Sequence, residues 1–577
     1  MSETLIETVK SYEEYINKYG IDEQAISAYI RAAKVAISAE QDVKYGLELT
    51  KRAKELTEKF ILKLTGATPW DLEKYAFANK KHYGILDKYY SILLIEAQNK
   101  IVDSYFQYIE KRREPKERFY MPRRKQFLKI GLIDALQGMI DDKYDILCIS
   151  LIPGAGKSTI EKFFNSAVIG WYPKDFNLFY SHSGDITRMY YDGIYDIVTN
   201  SDDYTWKEIF PDLTVTSANT KMEQFNIGAY KPFPSVQCTS VGSKNAGKVR
   251  CSKFLLVDDM IGGIEEALNP NILEKLWNKY AVDARQRKVQ DTNGNNCKEI
   301  HIATRWSVND VIGRLQRMYE GNPRVKIISV PDVDPITGES NFDYEFSGFT
   351  KEFFADQQLL MDDISYRCLY KQDPIEREGL LFPEDKIRRY LNLPHGEPEI
   401  ITAQCDTKGK GTDYFVMPIL QKYGEDYYCV DCVCDNNADY EIQYENAANT
   451  LVNNRVQECE FERNAGGDRV AMEVNKRVES KGWLCNITDT PTETNKEARI
   501  FQCSSWILQH VIFKDETLYT PREPYGVMMT LLKQYSVSAK KQLDDVPDVF
   551  SNFSLRITRG NKVAKVEAAV NPFRRWF

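Results

Sequence analysis

The strongest chemical signal in the sequence is a glycine-rich turn between an apolar run and a helical stretch, in LCISLIPGAGKSTIEKFF at residues 147–164. A strand, loop and helix in this order surround a phosphate with backbone N–H groups, while a lysine neutralises the outer phosphates and a hydroxyl ligates Mg²⁺. Leu151 replaces the first glycine of the full signature, so the motif is degenerate, and an ordinary glycine turn is the alternative. The order of the elements favours a nucleotide triphosphate site formed by Gly154, Gly156, Lys157, Ser158 and Thr159.

A pair of acids further along the chain provides the metal ligand that such a loop requires. The run KFLLVDD at residues 253–259 ends in Asp258 and Asp259. Asp258 is predicted to hold Mg²⁺ through water, and a second acid is predicted to polarise the attacking water. That second acid is either Asp259 or a glutamate of GGIEEA, Glu265 or Glu266. Two acids after a strand are also typical of a common turn. Because the same chain contains the phosphate loop, the metal-binding interpretation is preferred.

A third element is the strand that runs into Thr304, Arg305 and Trp306 in IHIATRWSVNDVIGRL. In ATP motors, a polar residue on the strand beside the phosphate loop senses whether the γ-phosphate is present. That information is then transmitted to the elements that bind DNA. Thr304 fits this role. A buried strand end followed by a helix cap is the alternative.

Several of these stretches together resemble the large terminase subunit of tailed bacteriophages. The resemblance is carried by LVDDMIGGIEEALNPNILEKLWNKYAVDARQR, IATRWSVNDVIGRL and YRCLYKQDPIEREGLLFPEDKIRRY, and it covers roughly residues 120–560. These terminases are DNA-packaging motors, in which ATP hydrolysis moves viral DNA through a portal into an empty capsid and a nuclease domain cuts the concatemer. The resemblance implies ATP and Mg²⁺ at the loop, and duplex DNA as the polymer that is moved.

Two features of that family leave questions open in this chain. The family often places an arginine inside its phosphate loop, where this sequence has Pro153, Gly154 and Ala155. The transition-state arginine is then Arg305 or belongs to a neighbouring subunit. Upstream of the loop, the family has a glutamine that recognises adenine, and Gln126 in PRRKQF is the candidate.

The resemblance also implies an RNase-H-like nuclease, which cuts phosphodiesters with two metal ions about 4 Å apart, held by carboxylates of separate elements. Asp406, at the end of the strand in ITAQCD, resembles the family's first nuclease acid, with Asp413 as a weaker candidate. Glu462 resembles the strand-end glutamate that precedes an asparagine and a glycine, with Glu460 as its rival. Mg²⁺ prefers such oxygen ligands, and Mn²⁺ is expected to substitute for it.

The last acids of the predicted nuclease are Asp545 and Asp548 in LDDVPDVFSNFSL. Pro547 suits the first turn of a helix. Residues three apart share a helix face, and a helix N-terminus favours the ionised carboxylate. Both acids are therefore expected to reach one metal. The histidine that some relatives have near this pair is absent.

Hydrophobic periodicity predicts the elements that must position these residues. Residues 1–110 are predicted to be helical, whereas residues 144–330 alternate apolar runs with helical stretches, which indicates a mostly parallel sheet. A second set of strands begins near residue 398 as an antiparallel meander and is followed by helices. The predicted fold class is α/β, with a helical N-terminal region, a P-loop NTPase parallel-sheet domain and an RNase-H-like α/β nuclease domain. The predicted boundaries are 1–115, 116–375, a linker at 376–397, 398–560, and a tail at 561–577.

Composition limits the class of protein. A net charge of −8 argues against a stable coat on nucleic acid, although local basic patches such as SKNAGKVR at residues 243–250 permit a brief grip. The twelve cysteines are scattered, which suits a reducing cytosol. Cys429, Cys432 and Cys434 fit an apolar strand better than a zinc site. The acidic start and the absence of an apolar run of about 18 residues predict neither a secretory signal nor a membrane span.

The resemblance further implies a portal protein and a small terminase subunit as partners, a homo-oligomeric ring of about five subunits on the portal, and the host cell cytoplasm as location. Two alternatives remain. One is an ATP-driven translocase whose C-terminal domain binds DNA without cutting it. The other is an ATP-binding assembly protein that does not hydrolyse the nucleotide.

Overall fold

The chain forms two compact units, each described here by itself. The first comprises Met1–Gly262, Leu273–Phe354 and Leu369–Gln372. The second comprises Gly263–Ile272, Ala355–Cys368 and Asp373–Phe577. The computed structural model describes residues 3–242, 249–361, 363–374, 381–407, 413–437, 439–463, 466–492, 495–536 and 542–570. Within these residues, no helix combines the length and the apolar character that crossing a membrane requires.

The first unit begins with a layer of helices, as the sequence predicts. They are α1 (Glu3–Tyr19), α2 (Glu23–Ser38), α3 (Val43–Thr65), α4 (Pro69–Ala78), α5 (Gly84–Gln98) and α6 (Val102–Ile109). Asp22 and Asp42 cap α2 and α3 by accepting hydrogen bonds from backbone N–H groups of the first turn, which satisfies donors that have no helical partner. Ile26, Tyr29 and Ala33 repeat at helical spacing and are buried in the shared core.

The rest of the first unit surrounds an eight-stranded sheet with the order β3-β4-β5-β2-β6-β7-β1-β8. Its strands are β1 (Ile146–Ser150), β2 (Asn177–Ser181), β3 (Val215–Asn219), β4 (Gln224–Ile227), β5 (Val236–Ser240), β6 (Phe254–Asp258), β7 (Lys298–Ile302) and β8 (Val325–Ser329). The strands from β5 to β8 in this order run parallel, and β3 and β4 are antiparallel additions at one edge. The carboxyl ends of β1, β6 and β7 therefore meet at one edge of the sheet, where open α/β folds bind ligands.

Ten further helices are described between residues 120 and 366 of the chain. They are α7 (Tyr120–Lys129), α8 (Leu132–Ile140), α9 (Lys157–Trp171), α10 (Gly184–Thr199), α11 (Trp206–Ile209), α12 (Ile264–Leu268), α13 (Pro270–Asn278), α14 (Val311–Met318), α15 (Lys351–Leu360) and α16 (Asp363–Tyr366). Strands β1, β2, β6 and β7 are buried along their whole length. This explains the continuous apolar runs of β1 and β6, whereas β7 also buries Lys298, Glu299 and His301.

The second unit is built on a seven-stranded sheet with the order β14-β13-β10-β11-β12-β15-β9. Its strands are β9 (Arg388–Tyr390), β10 (Ile400–Cys405), β11 (Phe415–Tyr423), β12 (Asp426–Asp435), β13 (Glu458–Glu462), β14 (Asn486–Thr490) and β15 (Val511–Lys514). Its longer helices are α17 (Tyr440–Asn453), α18 (Gly467–Ser480), α19 (Lys496–His510), α20 (Pro524–Gln534) and α21 (Asp545–Val570). Strands β10, β11 and β12 form the predicted antiparallel meander, and β13 pairs parallel to β10.

The predicted α/β class, with a helical N-terminal region and two sheet-containing parts, is confirmed. Cys429, Cys432 and Cys434 lie on β12 as buried free thiols, in agreement with the strand interpretation. The predicted domain boundaries remain predictions. Parts of three predicted segments lie outside the described residues: positions 243–248 of the basic patch, 375–380 before and within the linker, and 571–577 of the tail.

Candidate active sites

The glycine-rich loop joins β1 to α9. Gly154 and Gly156 have φ angles of 78° and 96°, in the left-handed region that glycine adopts without steric cost. A β-carbon at Gly156 would lie 2.3 Å from a ring carbon of Phe119, and one at Gly154 would lie 2.9 Å from a ring carbon of Phe349. Both glycines are therefore required by the backbone conformation and by the close approach of an aromatic ring.

The first turn of α9 supplies the polar groups of the loop. Nζ of Lys157 donates a hydrogen bond to the carbonyl oxygen of Leu151 at 2.6 Å, which keeps the ammonium against the loop. Oγ of Ser158 donates to Oδ2 of Asp258 at 2.8 Å, and Thr159 follows in the same turn. A hydroxyl and a carboxylate that lie together are the type of oxygen ligands that Mg²⁺ prefers.

The two acids at the end of β6 have different environments. Asp258 is 4% exposed, and burial, together with the adjacent Asp259, raises the pKa of Asp258 to about 7. Asp259 has a φ of 40°, a left-handed conformation that aspartate adopts more often than most residues. Its Oδ1 accepts a 3.3 Å hydrogen bond from the backbone N–H of Thr304, and its carbonyl oxygen accepts one from Nδ1 of His182. The end of β6 is thus connected to the segment that follows β7.

One buried carboxyl near the loop carries no recognisable sequence signal. Glu161 lies on α9 one helical turn after Ser158 and is 2% exposed. Among the described residues, neither of its carboxyl oxygens has a hydrogen-bond partner. Burial, and then the charge of Asp258, raises the pKa of Glu161 well above its usual value. The neutral form of this carboxyl is therefore favoured.

Aromatic and amide side chains form a wall beside the loop. The guanidinium of Arg123 lies 4.6 Å from the ring centre of Phe119 and 4.7 Å from that of Tyr344. On the same helix, Nε2 of Gln126 donates to the carbonyl oxygen of Asp343 at 2.8 Å. In the described part of the chain, Oε1 of Gln126 is buried without a hydrogen-bond partner. An amide oxygen of this kind can accept a hydrogen bond from the amino group of adenine, the role predicted for Gln126.

Helix α4 of the N-terminal region contacts the chain next to this wall. Nε1 of Trp70 and Nζ of Lys74 donate to the carboxylate of Glu345 at 3.0 and 2.7 Å. The Trp70 ring also lies 5.6 Å from the guanidinium of Arg118. Glu345 follows Tyr344 in the chain, and Arg118 precedes Phe119. Tyr344 and Phe119 are the aromatic residues that flank the Arg123 guanidinium. Helix α4 therefore holds the wall at two points.

The other predicted residues of this site have less direct roles in the structure. Thr304 is 7% exposed at the strand end. Arg305 is buried, and its Nε pairs with Oδ2 of Asp310 at 3.0 Å, so its guanidinium serves an internal ion pair. Glu266 lies on α12, which belongs to the second unit, and the side chain of Glu265 lies outside the described residues. The choice of the acid that orients water stays open.

In the second unit, three acids from separate elements converge. Asp406 follows β10, Glu462 ends β13, and Asp548 lies in the first turn of α21. Their ligand oxygens all lie within 4.8 Å of one another. Because β10 and β13 are parallel neighbours, their carboxyl ends meet at the same edge. Nδ2 of Asn552 donates to Oε2 of Glu462 at 3.0 Å and orients it. Three carboxylates in this arrangement suit Mg²⁺ or Mn²⁺.

The other predicted acids do not enter this cluster, which among the described residues contains neither Asp413, Glu460 nor Asp545. Oε2 of Glu460 accepts a hydrogen bond from Oγ1 of Thr490 at 3.0 Å. Asp545 begins the same helix as Asp548, but its Oδ2 accepts a 2.8 Å hydrogen bond from the backbone N–H of Tyr414. The predicted role of Asp545 as a metal ligand thus remains a prediction.

Two cations that the sequence interpretation missed lie against the cluster. Nζ of Lys496 is 3.5 Å from Oδ2 of Asp548 and 3.9 Å from Oδ2 of Asp406. Nη2 of Arg499 is 2.6 Å from Oδ1 of Asp548, and both partners are almost completely buried. A signal did exist in the sequence. Both cations lie in the first turn of α19, where the helix dipole disfavours positive charge, so a specific anionic partner was to be expected.

Burial controls the protonation of the cluster. Burial raises the pKa of Asp406 well above its usual value, although Lys496 opposes this shift. Burial raises the pKa of Asp548 to about 6, although Arg499 and Lys496 oppose it. Because a metal ion binds the deprotonated carboxylates, the affinity of this cluster for a divalent cation increases with pH.

Comparison with known proteins agrees with this arrangement. Residues 405–511 match the family model described as the terminase of bacteriophage T7, ribonuclease H-like domain. The C-terminal part of the chain therefore contains an RNase H-like domain of the terminase type. The match confirms the resemblance of this chain to the large terminase subunit of tailed bacteriophages. No curated protein sequence matches the chain.

Solved structures with similarity to this chain include two large terminases and one nuclease domain. The large terminase of bacteriophage HK97 is 10% identical with a TM-score of 0.31, over 74% of this chain and 94% of that chain. The large terminase of a thermophilic bacteriophage, in complex with ATP-gamma-S, is 11% identical with a TM-score of 0.30, over 74% and 98%. The Mn-soaked terminase nuclease domain of human cytomegalovirus is 12% identical with a TM-score of 0.24, over 29% and 88%.

Proposed function

We propose that the chain is a viral DNA-packaging motor, which couples ATP hydrolysis to the translocation of double-stranded DNA into a procapsid and cuts the DNA concatemer with a metal-dependent nuclease. The observation that carries this proposal is the convergence of Asp548 with Asp406 and Glu462, two acids of the segment that matches the terminase domain model. The portal protein, the small terminase subunit and a ring of identical subunits are the proposed partners, and the host cytoplasm is the proposed location.

For the motor, the loop geometry supports defined roles. Backbone N–H groups of the loop and the start of α9 surround the phosphates of ATP, and Lys157 neutralises the outer ones. Ser158 and Asp258 would hold Mg²⁺, which would supply positive charge to offset that of the phosphates. Asp259 accepts a proton from, or orients, the attacking water. Its hydrogen bond with Thr304 then carries the state of the γ-phosphate to the segment after β7.

For the nuclease, Asp406, Glu462 and Asp548 hold the divalent cation beside the scissile phosphodiester. That cation activates water and stabilises charge on the phosphate. Asn552 keeps the Glu462 carboxylate in a ligating orientation, and Arg499 holds Asp548 in place. Asp545 accepts a hydrogen bond from the backbone N–H of Tyr414. Its predicted role as a metal ligand remains a proposal.

The proposal is tested with two variants that separate the activities. Lys157→Ala is expected to lower phosphate release from ATP by about 100-fold or more and to leave Mn²⁺-dependent DNA nicking unchanged. Asp406→Ala is expected to abolish nicking and to leave ATP hydrolysis unchanged. Matched controls are Lys174→Ala and Asp468→Ala, which remove exposed side chains of the same types.

The outcomes also separate the alternatives. If the wild-type protein hydrolyses ATP and binds DNA but never nicks it, the C-terminal domain is a clamp. If Lys157→Ala matches the wild type in phosphate release, the loop does not drive hydrolysis and the motor proposal fails.

A further inference from the structure

A lysine neutralises one side of the acidic cluster. The distances from Nζ of Lys496 to carboxylate oxygens are 2.8 Å for Asp544, 3.2 Å for Asp545, 3.5 Å for Asp548 and 3.9 Å for Asp406. These oxygens come from the end of β10 and from the start of α21. A single ammonium that contacts four carboxylates occupies the position at which a further cation would have to bind.

Asp545 and Asp548 each have their other oxygen engaged by the protein. Oδ2 of Asp545 accepts the backbone N–H of Tyr414, and Oδ1 of Asp548 accepts Nε and Nη2 of Arg499 at 2.9 and 2.6 Å. Two metal ions of a nuclease lie about 4 Å apart, and each needs its own carboxylate oxygens. Each of the four carboxylates presents one oxygen to Lys496, so a second metal ion would have to compete with the ammonium for these oxygens.

The position of Lys496 is fixed by the fold. Its neighbour Asn495 caps α19 by accepting a hydrogen bond from the N–H of Ala498 at 3.2 Å, and α19 packs against α21. Lysine is charged at neutral pH, and four carboxylates within 4 Å hold this ammonium at the start of a helix, a position that by itself disfavours positive charge.

We propose that this site binds one divalent cation, held by Asp406, Glu462 and Asp548, and that the ammonium of Lys496 replaces the second metal ion of the predicted two-metal site. This inference rests on the proposed nuclease function. The ammonium offsets part of the negative charge of Asp544 and Asp545 and of the bound phosphodiester. The nuclease site then needs a divalent cation at one position only.

The test is the electron paramagnetic resonance spectrum of the nucleotide-free full chain titrated with Mn²⁺. Two Mn²⁺ ions about 4 Å apart give a spin-coupled signal, whereas isolated ions do not, so an ion at the phosphate loop does not disturb the measurement. The wild type is expected to show no coupled signal at any Mn²⁺ concentration. Lys496→Met frees the oxygens and is expected to show the coupled pair.

Two control variants keep the test decisive. Lys496→Arg retains the charge and is expected to behave as the wild type, and Lys476→Met removes an exposed lysine of α18 that pairs with Glu473. Circular dichroism of each variant checks folding. If Lys496→Met folds only with Mn²⁺, it is measured in its Mn²⁺-loaded form.

The outcomes distinguish this inference from the proposed function. A coupled pair in the wild type, or no coupled pair in folded Lys496→Met, overturns the inference and leaves the nuclease proposal in place. If the wild type binds no Mn²⁺ at the cluster and does not differ from Asp406→Asn, both are overturned.

Discussion

The phosphate loop and the acidic cluster both place carboxylates at the ends of parallel strands, but they stabilise those carboxylates differently. At the loop, Asp258 and Asp259 receive hydrogen bonds from a hydroxyl and a backbone N–H group. In the cluster, Lys496 and Arg499 lie directly against the acids. Neutral donors leave the charge of the first site to be balanced by the metal that arrives with a nucleotide, whereas fixed cations balance part of the charge of the second. Burial raises carboxyl pKa values at both sites.

The largest expected effect concerns the cations of the cluster. Arg499→Met leaves Asp548 buried without its closest cation, which is expected to reduce the free energy of local unfolding of α19 and α21 by about 3–5 kcal/mol. Hydrogen exchange of the metal-free protein measures this change. Arg463→Met removes an exposed pair with Asp489 and serves as the control, with an expected cost of about 0–1 kcal/mol. Equal effects of the two variants would show that the buried pair is not what stabilises the cluster.

The next effect concerns the hydroxyl of the loop. Ser158→Ala removes the donor to Asp258 and a predicted Mg²⁺ ligand, so ATP turnover is expected to fall by about 100-fold, or ~2.7 kcal/mol of activation free energy. Steady-state phosphate release at several Mg²⁺ concentrations measures this loss. Thr199→Ala, which removes an exposed hydroxyl of α10, is the control, and a loss of the same size there would show that the effect is not specific to the predicted ligand.

The pH dependence of the two sites sharpens the comparison. Because the pKa of Asp258 is raised to about 7, the folded protein binds a proton there that the unfolded chain releases near pH 4. The metal-free protein therefore gains stability as the pH falls towards 4 and loses that contribution as the pH rises through 7. Mg²⁺ must displace this proton, so the affinity for Mg²⁺-ATP is expected to fall about tenfold per pH unit below 7.

Calorimetric titration with Mg²⁺-ATP between pH 5.5 and 8, with no nuclease metal present, measures the affinity at each pH. We expect a slope on the order of one proton released for each ion bound. Asp258→Asn removes the titrating group and is expected to bind more weakly with no such slope. A wild-type affinity that is constant across this range would contradict the assignment of Asp258 as the pH-sensitive ligand.

The smallest expected effect concerns the base. Gln126→Ala removes one hydrogen bond to adenine, which is worth about 1 kcal/mol, so the preference for ATP over GTP is expected to fall about fivefold. Competition of the two nucleotides in the hydrolysis assay measures the preference. Lys125→Ala, on the exposed side of the same helix, is the control. An unchanged preference in Gln126→Ala would show that the base is recognised elsewhere.

The sequence predicts the centre of each sheet better than its edges. Strands β1 and β6 are continuous apolar runs that end in polar residues, and the same runs locate the loop and Asp258. Strand β3 has the sequence VTSAN and is mostly exposed, and β9 has three residues, so neither carries a periodic pattern. Their positions depend on pairing with distant strands.

The parts of the sites that sequence could not predict are those formed by distant contacts. Phe349 comes from a segment almost two hundred residues after the loop that it contacts, and Tyr344 of the same segment contacts Arg123. No local pattern links this segment to the loop. Among the acids of α21, helical periodicity placed Asp545 and Asp548 on one face, but the engagement of Asp545 by Tyr414 depends on how β11 begins. Lys496 and Arg499 did have a local signal, their unfavourable position in the first turn of α19.

The contacts of α4 with Glu345 and Arg118 have a consequence for the N-terminal helices. The wall beside the nucleotide loop is anchored to an element that is far away in sequence and contributes nothing to the chemistry. Deletion of residues 1–98 would remove that anchor and leave the carboxylate of Glu345 without its two donors. The amino-terminal region is therefore a structural support of the wall, and the segment around Glu345 is expected to become less ordered without it.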